Sequence, residues 1–335
     1  MIARKTLLIL VTLCSLLVVP SLASAQDMPD FVALIETEDV MTHVRALAVA
    51  IGARPMGSPA ESLAANYIAA ALSDWGYEVT VEEFNAIAPA EEEDAPGTAI
   101  VSRNVIGVRP GDEKLVVVGA HMDSVLVGTG AGDNASGVAV MLATARALAS
   151  LDTPHTLVFI AFGAEEGGDP PGAEVYVEGL GDTASNVIAM LNIDSVGVGT
   201  ALNVYAGATI TWPEEEDAAP TIEGGPVWVR DLALDLAAEM GLPFATTPAD
   251  TWGGFTGDWS DHYAFVLAGV PVAYFEAWQW AGAEDSWWGQ ETAEGDLMHT
   301  EGDVYAAVVP EKVERTAEVV AATTYAIATG MAGGE

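Results

Sequence analysis

Apolar stretches that have the character of buried strands alternate along this chain with helical stretches, and this alternation limits the possible folds most strongly. The most apolar strand candidates are Lys114–Ala120, His155–Phe162, Val187–Ile193 and Val270–Phe275. The helix candidates are Ala135–Leu151, Gly172–Leu180, Val227–Met240 and Ser260–Leu267. Apolar strands separated by helices are typical of a parallel sheet with helices on both faces. We therefore predict an α/β fold, a three-layer α/β/α sandwich with a mixed, mostly parallel central sheet.

Weaker signals complete the expected arrangement. Ser58, Pro59 and Glu61 are typical of a helix start, with a capping serine, a proline in the first turn and a glutamate that closes a capping box. We expect that helix to end near Trp75. The other expected elements are a helix over 39–51, strands over 77–84 and 98–108, a possible edge strand over 203–205, loops over 86–97 and 214–217, and a last helix over 303–328 interrupted near Pro310.

The first 25 residues have the character of an export signal. Arg4 and Lys5 precede an apolar run that is too short to span a bilayer comfortably, and residues 23–25 are an Ala-Ser-Ala cleavage site. We therefore expect a signal peptide over 1–25, one domain over 26–335, and a secreted or periplasmic protein. Cys14, the only cysteine, lies in the signal, so the expected domain has no cysteine ligand for a metal.

The chain is strongly acidic. It has 11 lysines and arginines against 49 aspartates and glutamates, a formal net charge of −38. Such a surface repels nucleic acid and anionic membranes, so we expect neither as a partner. The charge has two open explanations, which are solubility and adaptation to high salt.

Several metal-binding side chains come directly after strand candidates. The segments that carry them are His121-Met122-Asp123, Gly132-Asp133-Asn134, Glu165-Glu166, Asp194 and His299. The carboxyl ends of parallel strands meet at one edge of a sheet, so the segments after residues 120, 162 and 193 should converge there. Two imidazoles and three carboxylates are the ligand types that a pair of Zn²⁺ ions needs. The sequence therefore predicts a metal centre at this edge.

Each segment also has a plainer interpretation when it is taken alone. An aspartate before a helix, such as Asp133, is a common N-cap, and Asp303 can cap the last helix in the same way. Two adjacent glutamates are most often solvated loop residues. If the backbone is extended at 121–123, Asp123 lies on the same side as His121 and can accept its second ring N–H.

Taken in order, these segments resemble the secreted bacterial leucyl aminopeptidase and aminopeptidase Y family, co-catalytic di-zinc exopeptidases whose relatives include the glutaminyl cyclases. The resemblance covers roughly residues 100–305 and implies a zinc-exopeptidase fold of the phosphorylase/hydrolase-like type. The roles that it implies are as follows: His121 and Asp194 hold one zinc, Glu166 and His299 hold the other, Asp133 bridges them, Glu165 is the general base, and Asp123 orients His121. Mn²⁺ or Co²⁺ are possible substitutes for zinc.

The resemblance also indicates a substrate pocket. The segment Ser260-Asp261-His262 is similar to the family's Ser-Asp-His segment near that pocket, and Met298 stands where several members have a tyrosine. Six of the nine tryptophans fall between residues 252 and 288, among them Trp259 and Trp278. They are expected to line the pocket and favour apolar or aromatic first residues, with ordinary core packing as the alternative. The stretch from Glu276 to Trp280 resembles the branch that contains the alkaline phosphatase isozyme-converting aminopeptidase.

The expected function is hydrolysis of N-terminal amino acids from peptides by a monomeric zinc exopeptidase. Peptide or protein N-termini are the expected partners, with no stable membrane association once the signal is removed. The alternatives are a glutaminyl cyclase or carboxypeptidase of the same fold and, from another class, a non-catalytic acidic metal-binding protein. The chain lacks the His-Glu-x-x-His and Gly-x-Ser-x-Gly motifs of other hydrolases.

Overall fold

A computed structural model describes residues 31–90, 95–213, 220–249, 252–280, 289–290 and 292–332. The predicted signal over 1–25, with Cys14, and the acidic loop over 214–217 lie outside these residues. The strands are β1 Glu78–Ala88, β2 Thr98–Arg109, β3 Leu115–His121, β4 Thr156–Phe162, β5 Val187–Ile193, β6 Asn203–Ala206, β7 Ala208–Thr211, β8 Thr221–Gly224 and β9 Val272–Glu276. The helices are α1 Thr37–Arg45, α2 Pro59–Asp74, α3 Gly137–Leu148, α4 Gly172–Leu180, α5 Trp228–Glu239, α6 His262–Leu267 and α7 Pro310–Ala328.

Seven of the described strands form one mixed sheet in the order β1-β2-β4-β3-β5-β9-β6. The four inner strands β4, β3, β5 and β9 are parallel, whereas β1 and β2 at one edge and β6 at the other run antiparallel to their neighbours. Strands β7 and β8 form a separate antiparallel pair. The inner strands are almost wholly buried, which explains their unbroken apolar character.

Helices cover both faces of the sheet. Side chains of α1, α2, α3, α5 and α7 form the larger core on one face, and α4 and α6 contribute to the core on the other. Strand β3 shows the division clearly, because Val116 and Val118 belong to the first core and Val117 to the second. The predicted three-layer α/β/α fold is confirmed. None of the described helices has the length and apolar character needed to cross a bilayer.

Two sequence predictions about the bounds of elements differ most from the structure. The loop expected over 86–97 begins later, because β1 continues to Ala88 and pairs there with Thr98 of β2. The last helix was expected from residue 303 but begins at Pro310. Proline has no amide hydrogen to contribute to a helix interior, so it favours the first turn. The possible interruption at Pro310 is therefore the start of the helix.

Candidate metal centre

The carboxyl ends of three inner strands deliver side chains to one place. Strand β3 ends at His121, which lies beside Phe162 at the end of β4, and Asp194 directly follows β5. Glu165 and Glu166 follow β4 after a short turn. His299 reaches the same place from the loop before α7. Strand ends and loops together therefore bring all five ligand candidates and the base candidate to one place.

Asp133 lies between the two histidines. Its Oδ1 is 3.1 Å from His121 Nε2, and its Oδ2 is 3.1 Å from His299 Nε2. Asp194 Oδ1 is 3.2 Å from the same atom of His121, and Glu166 Oε2 is 3.0 Å from the same atom of His299. The donors thus form two groups, each with one imidazole and one terminal carboxylate, and both share Asp133.

These donors fit zinc. Zinc bonds of about 2.0–2.2 Å at tetrahedral angles separate neighbouring ligand atoms by roughly 3.4 Å, close to the spacings observed here. Donor atoms of His121, Asp133 and Glu166 all lie within 4.8 Å of one another. Several carboxylates held this close repel each other unless a cation or protons lie between them. Metal binding relieves that repulsion, and the oxygen and nitrogen donors suit Zn²⁺.

Glu165 and Asp123 lie beside the donors. Glu165 Oε2 is 3.9 Å from His121 Nε2, and burial raises the pKa of Glu165 well above its usual value although His121 opposes the change. Asp123 is fully buried. Its two oxygens accept hydrogen bonds from the backbone N–H groups of Glu165 and Glu166, both at 3.2 Å. Its Oδ1 is 3.8 Å from His121 Nδ1. Asp123 therefore fixes the glutamate turn and faces the far side of His121.

Arg54 holds the loops that carry the ligands, although its sequence context gave no sign of this role. Its buried guanidinium donates hydrogen bonds to the carbonyl oxygens of Met122, Thr129 and Gly130, at 2.8, 2.9 and 2.8 Å. A Cβ on Gly130, where φ is +60°, would lie 2.7 Å from the guanidinium. Arg54 thus joins the turn after His121 to the turn before Asp133.

Asp303 has a different role from the expected helix cap. Its carboxylate accepts hydrogen bonds from the N–H groups of Gly132 at 2.6 Å and Asp133 at 3.2 Å. Helix α7 begins seven residues later, and no side chain caps it. Asp303 therefore bonds to N–H groups that are distant in sequence. Gly132 and Asp133 lie in the first turn of a helical segment over 131–136, where N–H groups have no partner within the helix.

Three non-glycine residues of the site have left-handed backbone conformations. They are Ala164 before the glutamates, Ser195 after Asp194, and His299 itself, with φ of 58°, 51° and 56°. Such conformations cost free energy and tend to concentrate at functional sites. The surrounding contacts therefore hold the backbone at these three residues in a conformation that extended strand ends do not adopt, and this changes the direction of the side chains.

A cavity of about 690 Å³ opens beside the donors. The residues lining it include four of the donors together with Trp259, Trp278, Trp280, Glu276 and Met298. A second cavity of about 560 Å³ shares Glu165 and Trp259 with it and is lined by Asp261. Neither oxygen of the buried Asp261 has a hydrogen-bond partner among the described residues.

The remaining pocket candidate, His262, is fully buried beneath the site. Its Nε2 is 2.8 Å from the carbonyl oxygen of Gly257, and its ring stacks on Tyr274 with centroids 4.5 Å apart. Burial lowers its pKa to about 4, so the ring is neutral. These contacts give His262 a supporting position rather than one on the cavity surface.

Known proteins resemble this chain in sequence and fold. It is 28% identical over 259 residues to the alkaline phosphatase isozyme conversion protein of Escherichia coli, covering 71% of this chain and 72% of that protein. It is 31% identical over 231 residues to aminopeptidase YwaD of Bacillus subtilis, covering 67% of this chain but 44% of that protein. A solved zinc aminopeptidase from Bacillus subtilis has the same fold, with a TM-score of 0.66, 20% identity, and coverage of 89% of this chain and 97% of its own.

The model of peptidase family M28 matches residues 104–324, which is more than half of the chain and includes every ligand candidate. The resemblance inferred from the ordered motifs is thereby confirmed, and the chain belongs to peptidase family M28.

Proposed function

We propose that this M28 peptidase is an aminopeptidase that uses two zinc ions. The observation that carries the proposal is the position of Asp133, with one carboxylate oxygen 3.1 Å from each of two histidines. In this proposal His121 and Asp194 would hold one zinc, Glu166 and His299 would hold the other, and Asp133 would contribute to both. A carboxylate bridging two metals is a recurring arrangement in hydrolases.

The reaction adds water to the first peptide bond. Zinc held by these residues would supply a Lewis acid for the scissile carbonyl and would make the attacking water more acidic. Glu165 accepts a proton from that water as the water oxygen bonds to the carbonyl carbon. Glu165 then donates this proton to the departing amine as the C–N bond breaks. Asp123 positions Glu165 through the backbone N–H that it binds.

Acidic groups favour substrates with a free N-terminus. Glu165 lies where the two cavities meet, and the unpartnered carboxylate of Asp261 lines one of them. A positively charged α-ammonium would satisfy such a carboxylate, whereas an acetylated N-terminus has no charge to offer. We further propose that residues 26–335 act as one monomeric domain, exported by the signal over 1–25.

The test uses p-nitroanilides of several amino acids, each with a free and an acetylated amine, on zinc-loaded protein with and without a chelator. We expect chelator-sensitive cleavage of the free-amine substrates only, with two zinc ions per chain by elemental analysis. Equal cleavage of acetylated substrates would exclude an aminopeptidase. No cleavage, or one zinc per chain, would favour the glutaminyl cyclase alternative, which a glutamine substrate would detect.

Glu165→Gln tests the base. We expect kcat to fall about 10²- to 10⁴-fold while zinc content is retained, since the amide cannot accept the proton. Glu113→Gln is the matched control. Glu113 is exposed in the turn before β3, at the end of that strand opposite to the candidate metal centre. Near-normal kcat in Glu165→Gln would show that another group is the base.

A further inference from the structure

Asn134 lies between two of the metal donors and is not one of them. It directly follows Asp133 and is fully buried. Its side-chain Nδ2 donates a hydrogen bond to the carbonyl oxygen of Ile193 at 2.9 Å, and its Oδ1 accepts one from the N–H of Ser195 at 3.1 Å. Ile193 and Ser195 are the neighbours of Asp194 in the chain. One amide group therefore holds the backbone on both sides of a second donor.

The same amide is fixed to the segment that carries Asp133. Asn134 Oδ1 accepts a further hydrogen bond from the N–H of Gly137, the first residue of α3, at 2.9 Å. A Cβ on Gly137 would press against both Asn134 Oδ1 and the carbonyl oxygen of Ile193, closer than van der Waals contact allows. Glycine leaves room for this approach because it has no side chain. The start of α3 and the end of β5 thus meet at one side chain.

Both polar atoms of the Asn134 side chain are used, one as a donor and one as an acceptor. A side-chain amide offers an acceptor and a donor in one plane. An ionised carboxylate of the same shape has no hydrogen to give to the Ile193 carbonyl, and an alkyl side chain would leave that carbonyl and two backbone N–H groups without partners. Buried polar groups without partners are costly, so the position requires an amide.

The two donors that Asn134 joins approach the same atom. Asp133 Oδ1 and Asp194 Oδ1 lie 3.1 and 3.2 Å from His121 Nε2. Under the proposed function, this group is the first zinc site, and the group that contains Glu166 and His299 is the second. The three hydrogen bonds of the Asn134 side chain go to the ends of β5 and α3, not to the loops that carry the second group.

We propose that Asn134 is a positioning residue, which sets the distance between Asp133 and Asp194 and thereby the affinity of the first zinc site. Other contacts fix each donor within its own part of the fold. Asp303 binds the N–H of Asp133, and Ser260 Oγ donates to Asp194 Oδ2 at 2.8 Å. Asn134 joins the two parts. This inference rests on the proposed function, since it assumes two zinc ions.

The test measures the affinity of each zinc site in Asn134→Ala. We expect the affinity of the first site to fall about 10- to 100-fold, the usual effect of losing a contact that orients a ligand, and that of the second to change less than about threefold. The measurement is titration of zinc-free protein with zinc in competition with a chromophoric chelator, fitted with two dissociation constants. Equal losses at both sites would overturn the inference.

Ser136→Ala is the matched control. Ser136 is buried two residues after Asn134, and its hydroxyl donates to the carbonyl oxygen of Gly132 at 2.7 Å, within the same segment. The variant loses a buried hydrogen bond that does not reach the end of β5, so we expect both zinc sites to change less than about threefold. Effects as large as those of Asn134→Ala would overturn the inference. If Asn134→Ala does not fold, Asn134→Ser is measured with the same outcomes.

Combined substitutions assign the effect to a donor. The effects of two substitutions add when the residues act independently and do not add when one acts through the other. We expect Asn134→Ala to weaken zinc binding little further in a protein that carries Asp194→Ala, and by its full factor in one that carries Glu166→Ala. Equal further losses in the two proteins would show that Asn134 supports the fold as a whole, which would overturn the inference.

A measurement on zinc-free protein keeps the two proposals distinguishable. Hydrogen exchange followed by mass spectrometry reports how firmly backbone N–H groups are held, without zinc or turnover. We expect faster exchange over residues 193–196 in Asn134→Ala than in wild type, with residues 165–168 unchanged. That result would support the inference even if wild type held a single zinc, which would overturn the two-zinc proposal alone. Unchanged exchange over residues 193–196 would overturn the inference.

Discussion

Asp133 contacts both histidines, and this makes it unlike every other donor. Asp194 and Glu166 each approach a single histidine. The sequence could predict these residues because each follows a strand or a glycine-rich turn and carries a ligand atom. It could not predict Arg54, because an isolated arginine in a loop has no local pattern. The role of Arg54 depends on neighbours that only folding provides.

Removing Asp133 should therefore affect both proposed metals. We expect Asp133→Ala to lose more zinc than Asp194→Ala or Glu166→Ala, because both groups of donors lose a ligand. The measurement is zinc per chain after dialysis against a graded series of chelator concentrations. Asp112→Ala, an exposed acid in the turn between β2 and β3, serves as the control. Equal zinc loss in the three ligand variants would argue against a bridging role.

His43 should contribute to the acid sensitivity of the fold. Burial in α1, helped by nearby Arg146 and opposed by Asp39, lowers its pKa to about 4, and its Nδ1 lies 2.6 Å from the Tyr67 hydroxyl. Between about pH 6.5 and pH 4 the unfolded chain binds a proton that the folded chain does not. The free energy of unfolding therefore falls as the pH is lowered, by up to about 3 kcal/mol from this group.

Urea unfolding of wild type and His43→Gln at several pH values measures this contribution. We expect the variant to lose less stability than wild type between pH 6.5 and pH 4, because glutamine does not titrate. Taking the difference in the free energy of unfolding between the two proteins at each pH cancels the contributions of all other titrating groups. Parallel curves across that range would show that His43 titrates normally in the folded chain.

At the scale of elements, strands and helices with local sequence signals were predicted more accurately than the loops around the site. The bounds of β5 and α4 agree with the sequence prediction, since apolar content and helix signals are local. The predicted start of α7 was wrong. Asp303 bonds to the distant N–H groups of Gly132 and Asp133 and does not cap the helix. Contacts between loops far apart in sequence leave no periodic pattern, so such errors concentrate around the site.

Arg54 gives a test of how the loops are held. Arg54→Met keeps an apolar stem but leaves several buried carbonyl oxygens without donors. We expect the free energy of unfolding to fall by about 3 kcal/mol or more, and zinc affinity to fall as well, because the turns on either side of the donors loosen. The measurements are urea unfolding and a competitive zinc titration.

Arg315→Met is the control for this variant. Arg315 pairs with Glu311 one helical turn away on the surface of α7, and exposed pairs of this kind contribute little. We expect a change within about 0.5 kcal/mol and unchanged zinc affinity. Similar effects of the two substitutions would contradict a special role for Arg54.

The whole molecule carries far more negative than positive charge. With a formal net charge of −38, its acidic groups repel one another across the surface. Salt shortens the range of this repulsion from about 10 Å at 0.1 M to about 3 Å at 1 M. We expect Tm and activity to rise with NaCl over that interval. Sorbitol at equal osmolarity is the control, and a maximum of both quantities at low salt would exclude adaptation to high salt.

The donors are spread from residue 121 to residue 299, at the ends of separate strands and in the loop before the last helix. An unfolded chain cannot hold them together, so zinc would bind the folded chain far more tightly than the unfolded one. By mass action, free zinc at about 100 times its dissociation constant would then add about 2.7 kcal/mol to the free energy of unfolding for each independent site. A chelator would therefore lower the free energy of unfolding by removing free zinc. Resistance to heat or proteolysis would then depend on the free zinc concentration as well as on the protein.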